Sequence, residues 1–201
     1  MKRIGLTGGL ASGKSTVAQM FVEHGIALIS ADQIVHAVYA ADRALCAQIA
    51  RTFGPTVVTA TGTIDRQRLG DRIFSDAKAR QILEGMVHPL VRQQIAEATQ
   101  HLEKNGVAMC LCDIPLLFES QFNWHFDAII VVGCKPETQI QRVMARYRYD
   151  RTRAMQRIAC QLPLADKMSR ADYVIDTDEL LEHTRQRVAE ILTILHARPA
   201  E

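Results

Sequence analysis

Gly8-Gly9-Leu10-Ala11-Ser12-Gly13-Lys14-Ser15-Thr16 is the stretch from which the rest of this 201-residue chain is read. It satisfies Gly-x-x-x-x-Gly-Lys-Ser/Thr and lies between the apolar run Ile4 to Leu6 and the helical spacing of Val17, Met20 and Phe21, where that pattern has meaning. Gly8 and Gly13 let the backbone turn sharply and approach phosphate oxygens, while the amides around them lie at the positive end of a helix. Lys14 supplies a mobile cation for β- and γ-phosphates, and the Ser15 hydroxyl is a ligand for a Mg²⁺ bridging the same oxygens. Ala11, Ser12, Gly13, Lys14, Ser15 and Thr16 are therefore the expected triphosphate-binding set. The competing reading is a glycine turn with an exposed lysine, which gives no reason for so many specified positions between a strand and a helix.

The chain is long enough for one α/β core with small insertions and short for two full domains. No apolar run approaches the roughly eighteen residues of a membrane span, and the N-terminus enters a strand at once. Neither a signal peptide nor a membrane segment is expected, and the location is read as cytoplasmic. Cys46, Cys110, Cys112, Cys134 and Cys160 are an odd number without metal-type spacing, which suits free thiols in a reducing compartment. Cys110 and Cys112 share one face of an apolar run, where burial is expected. A net charge of +2 speaks against general nucleic-acid binding. Between Arg142 and Arg170, however, eight Lys/Arg face two Asp/Glu, a local +6 that leaves −4 for the remainder. That segment is suited to phosphates, although singly each arginine reads more readily as a solvated surface group.

Outward from the loop, Lys2 to Leu6 reads as a strand and Ser12 or Gly13 to Glu23 as the helix it feeds, stopped by Gly25. Ile26 to Ile29 is a second strand ending at Ser30-Ala31-Asp32, at the rim where ligands gather in open α/β sheets. Asp32 is a candidate catalytic carboxylate there, or the N-cap of a helix from Gln33 to Tyr39. Arg43 to Phe53, Asp65 to Phe74, Ser75 to Met86 and Pro89 to Leu102 are helical in pattern. Ile82, Leu83, Met86, Leu90, Val91 and Ile95 mark the apolar face, and Pro89 predicts a break or sharp bend at His88. So much helix between two strands implies an inserted helical subdomain.

Val107 to Cys112 reads as a strand buried on both faces and ends in Asp113, which either orients the Mg²⁺ shell or caps a turn. The loop Ile114 to Glu119 presents apolar groups that tuck onto the core or line a pocket. Ala128 to Val132 is a fourth strand and Pro136 to Tyr147 a helix; the basic stretch from Arg146 continues in helical style to Gln161, before Leu162-Pro163. Tyr173 to Ile175 is a fifth strand, and a final helix carries Leu180, Leu181, Val188, Ile191, Leu192 and Leu195 on one face. Residues 197–201 have no evident reason to be ordered. Five short strands alternating with helices predict a three-layer α/β/α sandwich on a five-stranded parallel sheet.

A phosphate loop alone does not name a reaction. The fourth strand is not followed by Asn-Lys-x-Asp, which argues against a guanine-specific switch protein. A small core, a helical insertion and a basic segment suit a small-molecule kinase, which must exclude water and gather positive charge, with Arg142 and Arg146 closing as a lid. A kinase for another small alcohol or nucleotide, and a nucleotide-dependent regulatory ATPase, stay open on the residues alone.

Several further blocks narrow this. Ile4-Gly5-Leu6-Thr7-Gly8-Gly9, Ala31-Asp32, His88-Pro89-Leu90, Pro115-Leu116-Leu117-Phe118-Glu119, Pro136-Glu137-Thr138-Gln139 with Arg142, Arg157-Ile158-Ala159 with Gln161, and Ala171-Asp172-Tyr173-Val174-Ile175-Asp176 occur in that order. Together they resemble the dephospho-coenzyme A kinase family over nearly the whole chain. The resemblance implies a P-loop NTPase fold with a helical coenzyme-A-binding insertion, about residues 41–103, and a basic lid, about 141–170. The core is then residues 1–40, 104–140 and 171–197 of a single 201-residue domain. It implies phosphorylation of the ribose 3′-hydroxyl of dephospho-coenzyme A by ATP with Mg²⁺, the last step of coenzyme A synthesis. The expected partners are those two small molecules, without nucleic acid or membrane, in a monomer or small homo-oligomer.

By the same resemblance Asp32 accepts or orients the 3′-hydroxyl proton, and Lys14 and Arg142 stabilise the transferring phosphoryl group. Thr7, His88, Leu116, Leu117, Phe118 and Glu119 fall on the acceptor side; Ser15 and, through its water shell, Asp113 serve the metal. The chain departs from the family pattern at four places. Ser30 stands where Asp is usual, Ala11 where Gly is frequent, and Thr177 where Asn often follows Val-Ile-Asp. The lid sequence Tyr147-Arg148-Tyr149-Asp150-Arg151 replaces a short acidic turn. Ala11 is a conservative change only if the backbone there avoids positive φ.

Overall fold

The structure, a computed structural model, describes residues 1–74, 76–120 and 125–198. The described chain forms two compact units, Met1–Ser30 with Thr99–Glu201, and Ala31–Ala98. The second unit thus begins some ten residues before the insertion expected from sequence, and the basic segment 141–170 lies within the first unit. The expected helix start at Ser75 and the chain end at 199–201 lie outside the described residues.

In the first unit five strands, β1 (Lys2–Gly8), β2 (Ala27–Ser30), β3 (Met109–Asp113), β4 (Ala128–Gly133) and β5 (Tyr173–Asp176), form a parallel sheet in the order β2-β3-β1-β4-β5. The register pairs Leu6 and Ser30 with Asp113, and Gly8 with Val132, so the ends of β1, β2 and β3 share one rim. Alternation sorts the side chains. Ile4, Leu6, Met109, Leu111, Ile130, Val132 and Ile175 pack on Val17, Met20 and Phe21 of α1 (Lys14–Glu23) and on Val188, Ile191, Leu192 and Leu195 of α9 (Leu181–Ala197). Cys110 and Cys112, on the opposite face, are fully buried as expected. Leu180 and Leu181 are corrected: they are 72% and 54% exposed, because the packed stripe of α9 starts a turn later at Thr184.

The second unit holds α2 (Ala31–Ala41), α3 (Arg43–Phe53), α4 (Arg66–Phe74) and residues 77–98 of α5 (Ala77–Lys104). Local chemistry sets several of these ends. Asp42 accepts the Leu45 N–H at 2.9 Å as the N-cap of α3, and Gly54, at φ 95°, stops it. α2 starts one residue before Asp32, which sits in its first turn and is not its cap.

α5 overturns the expected break. Its 28 residues run through Pro89. Leu83, Val87, Val91 and Ile95 recur at every fourth position and are all buried, so apolar packing spans the proline. Pro89 and Gly85 lie on the exposed face, where the carbonyl at 85 that loses its partner reaches water. Ile82, placed on the apolar face by sequence, is 40% exposed.

The basic segment is also less continuous than its pattern. α6 (Pro136–Tyr147) ends with Arg148 in the left-handed conformation, α7 (Arg151–Ile158) restarts behind an Asp150 N-cap, and α8 (Leu164–Met168) follows Pro163.

Candidate active site

The loop after β1 is bent at two residues. Ala11 has φ 57° and Gly13 φ 86°, and the Ser12 N–H closes on the Gly9 carbonyl at 3.2 Å. Alternating left- and right-handed residues turn successive amides inward, a concavity suited to anions. Ala11 does therefore require positive φ. A Cβ on Gly8 would lie 2.5 Å from the Val132 carbonyl oxygen and 2.7 Å from Ser12 Oγ, so only glycine permits that approach. Ser12 Oγ is buried without a hydrogen-bond partner among the described residues.

Lys14 opens α1, and its ammonium pairs with Asp113 Oδ1 at the end of β3, both side chains being largely buried. Ser15, next in the helix, is exposed. Among the described residues no group of three His, Cys, Asp or Glu forms a metal cage. The donors fit a Mg²⁺ that keeps most of its water and its phosphate ligands: one hydroxyl and a carboxylate that reaches Lys14.

Arg142, on α6, is fastened from β5. Its Nη1 donates to Thr177 Oγ1 at 2.9 Å and its Nη2 to the Thr177 carbonyl at 2.7 Å. Thr177 Oγ1 also lies 2.8 Å from the Ser12 carbonyl and 3.1 Å from that of Gly133. Its methyl stands 3.2 Å from where a Cβ on Gly13 would be. Gly13, Thr16, Val17, Arg142, Thr177 and Leu181 line a cavity of about 450 Å³ with Glu179 and Thr184. That is room for a nucleotide's base or sugar beside the loop. Burial pushes the Cys134 thiol up against the pull of Arg142, so a neutral thiol neighbours the guanidinium.

The loop 114–119 is tied down on its inner side. Thr7 Oγ1 donates to the Pro115 carbonyl at 3.0 Å, and Leu117 packs over Gly5, 3.3 Å from a Cβ placed there. Leu116 and Phe118 are half-buried, with Arg170 over the Phe118 ring at 5.8 Å. Glu119 Oε1 accepts from the Leu162 N–H at 3.1 Å and pairs with Lys167 at 2.7 Å. Lys167 on α8 is completely buried and also donates to the carbonyls of Gly8 and Pro115, each at 3.3 Å. Gln139 Nε2 donates to the Leu10 carbonyl at 2.9 Å.

The structure thus brings Lys14 to Asp113, Arg142 to the phosphate loop through Thr177, and Thr7 to the loop of Leu116 to Glu119. Asp32 and His88 belong to the second unit and are described within it. Asp32, two residues beyond β2, is exposed, and no described residue holds its carboxylate. His88 is half-buried, and burial lowers its pKa below 6.5, with Glu84 opposing and Arg92 adding to the effect. Sequence reading missed Thr177 as a holder of Arg142, quoted Gln139 only within a family block without its contact to the phosphate loop, and missed Lys167 altogether. A lysine three residues after Leu164 and beside Met168 on a helix was the one trace of Lys167.

Several of the other arginines near α6 and α7 have partners of their own. Arg151 grips Glu137 with both Nη atoms at 2.7 Å, Arg153 lies 4.4 Å over the Tyr149 ring and Arg146 5.5 Å over that of Tyr147. Tyr147 and Tyr149 stack at 5.5 Å.

Known proteins resemble this chain over nearly its whole length. A family model described as dephospho-CoA kinase matches residues 2–183. The dephospho-CoA kinase of Geobacillus kaustophilus is 41% identical over 189 residues, covering 94% of each chain. A crystal structure from Thermus thermophilus superposes with TM-score 0.82 at 29% identity over 98% of both chains. The dephospho-CoA kinase of Campylobacter jejuni gives 0.70 at 28% identity, over 97% of this chain and 98% of that one.

Proposed function

The chain belongs to the dephospho-CoA kinase family and carries out the final step of coenzyme A biosynthesis; from that premise we propose how its residues divide the work. The loop amides from Ala11 to Thr16 bind the triphosphate of ATP, and Lys14 moves its charge onto the β- and γ-oxygens. Arg142, fixed by Thr177 beside the loop, neutralises the charge that develops on the equatorial oxygens. Ser15 would hold a Mg²⁺, with Asp113 orienting its water shell, and the metal would supply positive charge to neutralise the phosphates. Asp32 accepts the proton of the ribose 3′-hydroxyl as that oxygen attacks in line, and ADP leaves.

Leu116 and Phe118 face the acceptor, while Thr7, Leu117 and Glu119 support them from inside. His88, which burial keeps mostly neutral at pH 7, is assigned to acceptor binding by the family resemblance alone. The five free cysteines support a cytoplasmic location. No described helix is long and apolar enough to cross a membrane.

The observation that carries this reading is the joint arrangement of a positive-φ anion loop, Lys14, and an arginine locked to the same loop. The test is ADP release with ATP and Mg²⁺, with and without dephospho-CoA, followed by NMR of the product. The expected result is strong stimulation and a new phosphate at the 3′ position. Equal ADP release in both arms would indicate a regulatory ATPase, and preference for another alcohol in a substrate panel would move the acceptor.

A further inference from the structure

Lys167 is a charged side chain with no exposure at all, outside the phosphate-loop motif and the acceptor loop. An ammonium has three N–H donors in tetrahedral array, and here one meets the phosphate loop and two meet the loop 114–119. The Gly8 carbonyl opens the phosphate loop, the Pro115 carbonyl opens the loop 114–119, and Glu119 Oε1 lies near that loop's end. The same Glu119 oxygen takes the Leu162 N–H, where the basic segment returns to the core. Pro115 is doubly held, since Thr7 also donates to its carbonyl.

The seat for this lysine is built. Pro163 starts α8, whose amides at Asp166 and Lys167 bond back to the Pro163 carbonyl at 3.0 and 3.1 Å. Met168 presses on the end of β4 so closely that a Cβ on Gly133 would meet its sulfur at 2.8 Å. A planar guanidinium would hold its donors in one plane and could not present three in tetrahedral array.

We propose that Lys167 is a positioning residue for phosphoryl transfer: its ammonium, neutralised by Glu119, fixes the donor-binding loop at Gly8 against the acceptor loop at Pro115. The inference rests on the kinase reading above and on residues 114–119 facing the acceptor. It touches neither substrate. Its effect falls on the relative placement of the two loops, where an error of about 1 Å costs on the order of 10²-fold in rate.

The test is a double-mutant cycle on the full-length enzyme with ATP and dephospho-CoA: Lys167→Met, Glu119→Gln, and both together. For each, kcat, both KM values and the thermal midpoint are measured. Lys167→Met alone leaves a carboxylate buried without its cation and should lower the midpoint; removing both partners should restore most of it. The inference expects the double variant to keep a kcat lowered roughly 10²-fold, equal to that of Lys167→Met, with KM for ATP changed by less than about threefold. Should Lys167→Met fail to fold, the double variant decides alone. Recovery of kcat together with the midpoint would reduce the pair to a stabilising element and overturn the inference. A Glu119→Gln loss of about tenfold or more that multiplies with the Lys167→Met loss in the double variant would give Glu119 its own substrate contact and overturn it as well. A wild-type enzyme inert toward dephospho-CoA would instead remove the kinase reading itself.

Discussion

Arg142 and Thr177 form a two-point clamp, with the side-chain oxygen and the main-chain carbonyl of one threonine taking both arms of one guanidinium. The same hydroxyl reaches the Ser12 carbonyl, so the clamp sets the distance from the arginine to the phosphate loop. Thr177→Val keeps the shape and removes the oxygen. It should lower kcat roughly tenfold through loss of one hydrogen bond to a charged group and a freer guanidinium, while Thr177→Ser stays within about threefold of wild type. Steady-state kinetics on the three proteins check this, and equal kcat for Val and Thr would detach Thr177 from Arg142's role.

Ala11 holds a left-handed backbone that a Cβ opposes by about 1–2 kcal/mol. Glycine at this position removes that opposition, while its freer unfolded chain takes back about 0.4–1 kcal/mol. Ala11→Gly should therefore raise the thermal midpoint by up to about 6 °C at this chain length. A lower midpoint in calorimetry would mean that the methyl makes a compensating contact.

His88 gives the fold a pH dependence of definite sign. Its folded pKa lies below 6.5, because burial disfavours the cation, against Glu84 and with Arg92. Between 6.5 and the folded value the unfolded chain binds more protons than the folded one, so stability falls as pH falls through that window. Above 6.5 the contribution is complete, and below the folded value it is gone. His88→Gln should flatten the midpoint-versus-pH curve there, and an NMR titration of the wild-type imidazole should give a pKa under 6.5. An unchanged slope would place the dependence on other groups.

Asp113 is bonded to Lys14 and largely buried, and the proposed mechanism gives it the ordering of the metal's water shell. Asp113→Asn should raise the Mg²⁺ concentration for half-maximal activity by roughly 10–100-fold, the usual effect of losing such a partner. A Mg²⁺ titration at saturating ATP measures it. An unchanged half-point with lowered kcat would confine Asp113 to holding Lys14.

The parts of the molecule that were legible in sequence are those decided within a few residues. The glycine and lysine spacing from Gly8 to Ser15 and Pro136 at the head of α6 each carry their reason locally. Pro89 misled because its local cost is met elsewhere, by a stripe of four buried residues on the opposite side of one long helix. Lys167 was illegible for a related reason. In a segment with so many cations nothing local marks one of them as enclosed, and its three acceptors come from residues 8, 115 and 119. Thr177 reads as one residue after a strand, and only the meeting of α6, the phosphate loop and the end of β4 there gives its hydroxyl three neighbours.

The central claim is that one exposed carboxylate, Asp32, takes up the alcohol's proton while a separate loop holds the nucleotide. The direct measurement is turnover of Asp32→Asn with ATP and dephospho-CoA, beside its ATP dissociation constant by calorimetry. The account predicts a kcat lowered by about 10²–10⁴-fold with ATP affinity within a factor of about three of wild type. Near-normal turnover, or a loss explained by weaker ATP binding alone, would contradict it.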